Sequence, residues 1–144
     1  MNEYSHILVA LDLTSDSKQI IDRAYAQAQL NKARLSLIHV LEPLGYAYGG
    51  DIPMDLTEVQ NQLDQHTHKQ LKALAADIGL GEEHTHVLIG RPETEIHRFA
   101  DENGVDLIVV GSHGRHGLQL LLGSTSSATL HRANCDVLAV RIKS

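Results

Sequence analysis

A chain of 144 residues, 42% apolar and 21% charged, has room for one domain around a single substantial core. Its 12 Lys and Arg stand against 18 Asp and Glu, for a formal charge of -6. That balance argues against broad attraction to nucleic acid or to an anionic membrane, though not against one small bound anion.

The apolar runs fall far short of the ~20 residues that cross a bilayer. The chain opens Met1-Asn2-Glu3, with no basic region and no small-residue cleavage site. A cytoplasmic protein with neither membrane nor nucleic acid as partner is therefore expected. A single cysteine, Cys135, forms no internal disulfide and agrees with a reducing compartment. No His-based relay is assignable to it, so it reads as a buried or half-buried filler.

Five apolar, β-branched runs mark strands: His6–Leu11, Arg34–Leu41, His84–Gly90, Val105–Gly111 and Asp136–Ile142. The first and fourth are almost continuously apolar, as central strands covered on both faces are. The other three alternate more, which points to places nearer the sheet edges.

Helical stripes fall between these runs. Ile20, Ile21, Ala24, Tyr25 and Ala28 form the first. Leu56, Val59, Leu63, Gln70, Leu74 and Ile78 form the second, with Asp55 and Glu58 spaced as a capping box. Pro92 opens a third helix that turns Ile96, Phe99 and Ala100 inward, and a fourth runs from about Ser124 to His131. Glu42–Met54, rich in Gly, Pro and Tyr, is the one long irregular piece, either a lid or a plain surface excursion. Regular alternation over residues 1–144 predicts one α/β domain, a parallel sheet with helices on both faces.

Such sheets bind ligands beyond the carboxyl ends of their strands, where strand order reverses. The first strand delivers Asp12 there, and the fourth delivers Gly111 and the segment "GSHGRHG". Gly111, Gly114 and Gly117 recur every third residue, a spacing that lets successive N–H groups reach anionic oxygens. Gly123, Ser124 and Thr125 then open a helix whose free N–H groups suit phosphate. A tight turn with a capped helix would need only one glycine and one serine. Cationic help near this loop comes from Arg115, His113 or His116. Asp12, which would repel phosphate, suits a ribose hydroxyl or an adenine amino group; otherwise it caps the next helix, for which Ser15 and Asp16 are better placed.

Neither G-x-x-x-x-G-K-S/T nor G-x-G-x-x-G is present. Without an assigned general base or metal-binding carboxylate pair, binding is expected rather than rapid phosphoryl transfer.

Taken together, "HILVALDLTSDS", "LSLIHVLEP", "VDLIVVGSHGRHG" and "LLLGSTSSATLHRANCDVLAV" resemble the universal stress protein family along the whole chain. The resemblance implies a five-stranded parallel sheet of order 3-2-1-4-5, of the adenine nucleotide α-hydrolase type. It also implies a homodimer through the last strand, Val137, Leu138, Ala139 and Val140. One subgroup binds ATP through G, two residues, G, nine residues, G and then S or T. By that resemblance ATP, alone or with Mg2+, would meet Asp12, the backbone of Val40, Gly111, Gly114, Gly123, Ser124 and Thr125; Ala10 at the end of the first strand and the loop's His113 and Arg115 complete the expected site. Eight residues, Arg115 to Leu122, separate Gly114 from Gly123 here, one fewer than in that pattern.

The expected function is thus an ATP-binding, homodimeric stress-response or regulatory protein, not a dedicated enzyme. A dimeric protein-interaction module without nucleotide and a slow ATPase are the alternatives. The ten histidines are expected to be solvated or structural. His66 and His68 diverge on a helix, His84 and His86 share a strand face without a third ligand, and His39 is packed and hydrogen-bonded.

Overall fold

The computed structural model describes residues 3–43, 57–111 and 135–142. In chain order they form β1 (His6–Ala10), α1 (Ser17–Asn31), β2 (Arg34–Leu41), α2 (Thr57–Asp77), β3 (Thr85–Ile89), α3 (Pro92–Glu102), β4 (Leu107–Gly111) and β5 (Asp136–Val140). The capping pair's Asp55, together with Leu56, the helix expected from Ser124 and most of the irregular piece Glu42–Met54, lies outside the described residues.

All strand pairs are parallel and the order is β3-β2-β1-β4-β5, as expected. Alternate side chains of each strand point to opposite faces, so the sheet has two cores. On one face Ile7, Val9, Leu37 and Val109 pack under α1 and α2 through Ile20, Ile21, Ala24, Leu71 and Ala75. On the other, Leu8, Ala10, Ile38, Ile108 and Val110 pack under Ile96 and Ala100 of α3. Every residue of β1 and β4 is buried, which is why both read as unbroken apolar runs.

Two expectations need correction. β2 is not near an edge in burial: only Arg34 and His39 escape the interior. Its alternation comes from Ser36, a polar residue that is buried because the His6 ring bonds to it.

The α2 stripe is right in phase but not in reach. Thr67, Leu71 and Ala75 are buried, whereas Val59 and Leu63 on the same i,i+4 row are 47% and 37% exposed. A 21-residue helix is about 31 Å long, while the five residues of β3 beneath it span about 17 Å. The first half of the helix overhangs the sheet. Gln70 is also exposed.

Two polar ties hold the amino-terminal ends of the strands. The Asp106 carboxylate accepts from Ser5 N (2.9 Å), Ser5 Oγ (2.9 Å) and His6 N (3.0 Å), fastening the start of β1 beside β4. Partial burial pushes the Asp106 pKa up, but these hydrogen bonds outweigh it and leave the pKa lowered.

The second tie is His6. Its Nδ1 lies 3.0 Å from the Asn103 carbonyl, which can only accept, so Nδ1 carries the proton. Nε2 then accepts from Ser36 Oγ at 2.8 Å. The ring thus joins β1, β2 and the end of α3. Burial lowers the His6 pKa first, and Arg34, whose Nη2 is 3.3 Å from Nδ1, adds to it against the opposing Asn103 bond. His86, packed against Phe99 with ring centroids 4.6 Å apart and planes tilted by 51°, is also lowered by burial and then by His6, His84 and Arg34.

Both shifts have one sign. Below the ordinary His pKa of about 6.5 the unfolded chain binds protons that the folded chain refuses, so stability falls with pH until the folded values are passed. Urea midpoints are therefore expected to be lower at pH 5.5 than at pH 7.5, with a smaller difference in His6→Gln. Equal midpoints at both pH values would contradict this reading.

Candidate functional site

The adjacency that the sequence left open is present: β1 lies between β2 and β4, at the point where strand order reverses. Both neighbours outrun it. The β1–β2 register ends at Ala10↔Ile38 and the β1–β4 register at Val9↔Val109. β2 continues to Leu41 and β4 to Gly111. A notch results, with Ala10 to Leu13 as its floor and the ends of β2 and β4 as its walls.

The backbone of β2 has a definite orientation there. In a strand both backbone groups of a residue point to one neighbour, and successive residues alternate. The Ile38 carbonyl accepts from Leu11 N at 3.0 Å, so Ile38 faces β1, while the Leu41 carbonyl accepts from Gly90 N at 2.9 Å, on the β3 side. Val40, two residues beyond Ile38, therefore turns its N–H and C=O toward the β1 side, past the last β1–β2 pair. Its side chain is buried in the α3-side core. One donor and one acceptor at the lip of a notch suit the edge of a flat heterocycle.

The floor is tied down by side chains. His39 Nδ1 lies 2.6 Å from the Leu11 carbonyl and so donates to it; the expectation of a hydrogen-bonded His39 is met, and its place beside the notch is new. Asp12 Oδ1 accepts from Thr14 N (3.2 Å) and Thr14 Oγ1 (2.9 Å), an Asx-type turn. Leu13 takes φ +60° within it, a conformation rare for a leucine. No sequence signal announces that residue.

The helix entry differs from expectation. Asp16 occupies the N-cap position of α1 without a side-chain cap bond. The Thr14 carbonyl accepts from Ser17 N instead, at 3.1 Å. The Ser17 hydroxyl is buried, with no hydrogen-bond partner among the described residues. It leaves one donor beside the Asp12 turn.

Of the sequence-derived site residues, the structure brings Ala10, Asp12, Val40 and Gly111 to this end of the sheet. His113, Gly114, Arg115, Gly123, Ser124 and Thr125 lie outside the described residues. Gly111 also has a local reason to be glycine. A Cβ there would stand 2.9 Å from Ile20 Cδ1 and 3.6 Å from Ile142 Cδ1. Packing against α1 accounts for it without a ligand.

The remaining candidates disperse. His84 belongs to a 3-10 turn (Glu82–His84) before β3, not to the strand, and its Nε2 is 3.5 Å from Glu83. His68 pairs with Asp64 one turn earlier on α2, both half-buried. Among the described residues, no group of three or more His, Cys, Asp or Glu is placed to hold a metal, and no helix is long and apolar enough to cross a membrane. Cys135 is half-buried and its pKa is pushed up to about 11 by burial and then by Asp101, Asp136 and Asp106. A thiol so protonated is a poor nucleophile.

The universal stress protein family model matches residues 3–141, nearly the whole chain and all of the notch. The chain belongs to the universal stress protein family. Universal stress protein A homolog 2 of Coxiella burnetii is 44% identical, with 99% of each chain covered. A family member from Burkholderia pseudomallei superposes with a TM-score of 0.72 at 25% identity, over 95% of this chain and 96% of that one. Another universal stress protein, solved in complex with cAMP, is 26% identical with a TM-score of 0.57, over 95% and 96% of the two chains.

Proposed function

We propose that this universal stress protein binds ATP in the notch above β1 and acts as a homodimeric regulatory factor, in the cytoplasm, whose nucleotide state alters the binding of a protein partner. The observation that carries the reading is the Val40 backbone, turned toward the β1 side beyond the end of β1. Its N–H and C=O match the acceptor and donor on the edge of adenine. Asp12, oriented by Thr14, serves as acceptor for ribose hydroxyls. The triphosphate, alone or with Mg2+, falls to Gly114, Gly123, Ser124 and Thr125, with His113 and Arg115 as the nearby charges. A relative that holds cAMP supports an adenine nucleotide as the ligand class.

In this reading ATP serves as a bound signal, and hydrolysis is at most slow. The dimer joins through β5, which pairs with β4 alone among the described residues. Val137 and Leu138 are half-buried and Ala139 exposed on that edge, and an uncovered apolar edge strand is a template for a second copy.

Titration with a fluorescent ATP analogue, with and without Mg2+, followed by displacement with ATP, cAMP and GTP, tests the site. Saturable binding reversed by ATP and cAMP in preference to GTP is expected. Absence of saturation, or equal displacement by GTP, would remove the adenine reading.

A further inference from the structure

At the other end of the sheet, away from the notch, a groove of about 400 Å³ opens between the end of α1, the start of β2 and the turn before β3. That volume lies within the range of small-molecule sites. Leu35 and Leu80 contribute apolar lining, Tyr25 an aromatic ring that is 37% exposed, and Lys32, Arg34 and His84 the polar wall. No carboxylate lines it, although acidic residues outnumber Lys and Arg by 18 to 12 in the chain.

The backbone adds a second observation. Lys32 ends α1 with φ +53°, its N–H directed at the Ala28 and Gln29 carbonyls. This left-handed position is where glycine is preferred. Beyond α2 and α3 the chain does place glycine at positive φ, Gly79 at 75° and Gly104 at 66°. Among the described helices α1 alone puts a lysine in the strained place, and it lines the groove.

Electrostatics agree. Among the described residues neither Lys32 nor Arg34 forms an ion pair with a carboxylate. Of the acids in the turn before β3, Glu83 lies 3.5 Å from His84 and is largely solvent-exposed, and Glu82 is held by Lys72 at 2.8 Å; Asp106, beyond His6, is bound to Ser5 and His6. Behind the groove, Arg34 and His84 add to burial in disfavouring the charged forms of His6 and His86, while the Asn103 bond and Asp106 act on His6 in the opposite direction. The charged lining of the groove is thus cationic in a negative protein.

We propose that this groove is a second ligand site, for a small aryl oxyanion whose ring lies against Tyr25 and whose phosphate or carboxylate sits between Lys32 and Arg34. An aromatic face, an apolar floor and two cations with no carboxylate partner among the described residues are what such a ligand needs. The site is separate from the notch and does not rest on ATP binding there.

Full-length 15N-labelled protein titrated with phenyl phosphate, benzoate and inorganic phosphate tests it. Phenyl phosphate or benzoate is expected to give saturable amide shifts at Gln29, Lys32, Leu35 and Leu80, and the stronger of the two identifies the head group. Inorganic phosphate, lacking the ring, binds more weakly. Lys32→Gly relieves the left-handed strain, so it folds at least as stably as wild type while binding the aryl anion about tenfold more weakly, the loss of one charge-assisted hydrogen bond. Arg34→Gln weakens binding likewise. No saturable shift at these residues, shifts confined to Asp12 and Val40, or unchanged affinity in Lys32→Gly would each overturn the proposal.

Discussion

Ile108→Ala is expected to lose about 2–5 kcal/mol of folding stability, against about 0.5–1.5 for Ile108→Val. Ile108 is wholly buried in β4, in the core shared with Leu8, Ile38 and Ile96. It pairs with Leu8 on one side and Val137 on the other, so neighbours on three strands and α3 border the cavity that alanine leaves. Backbone pairing limits how far they can collapse into it. A domain of this size commonly has about 5–15 kcal/mol in all, so the alanine variant should melt roughly 10 °C lower. Urea denaturation of the two variants separates cavity cost from simple loss of a methyl group. Similar midpoints for valine and alanine would mean that this face of the sheet is loosely packed.

Gly114→Leu is expected to weaken ATP binding by about 100-fold or more while leaving the melting temperature within a few degrees of wild type. A loop that holds phosphate oxygens by successive backbone N–H groups loses several charge-assisted hydrogen bonds when a side chain keeps the backbone away, and each is worth about 1.5–3 kcal/mol. Calorimetric titration of both proteins, with circular dichroism melts alongside, gives the two numbers. Unchanged affinity in a folded variant would take Gly114 out of the site and, with it, the phosphate role of the segment. Gly111 makes the contrast, because a side chain there would first meet Ile20 of α1.

The architecture was legible because burial on both faces writes itself into composition. "ILVA" in β1 and "LIVV" in β4 have no polar break because helices cover both sides. Strand order was reached by resemblance. Periodicity says which residues face a core and nothing about which strand lies beside which. The α2 stripe shows the complementary limit, since the phase of Val59 and Leu63 was correct but the sheet ends before reaching them. Ser36 shows another, a polar residue buried because His6, thirty positions away, supplies its partner.

In the candidate site, Asp12 and Gly111 were visible from their places at strand ends. The direction of the Val40 backbone was not, because it depends on where β1 stops relative to β2. The Leu13 turn and the His39 bond to the Leu11 carbonyl were equally hidden. Each is a matter of backbone geometry, which side-chain identity does not encode.

What the protein carries when it is purified with no nucleotide added tests ATP binding most directly. The protein is denatured and the released small molecules are separated by chromatography and quantified against protein. ATP or ADP approaching one per chain in wild type, and absent from Gly114→Leu, is the predicted result. Equal nucleotide in both proteins would contradict the assigned site. An empty wild-type protein that also fails to bind added ATP with Mg2+ would contradict the nucleotide reading itself.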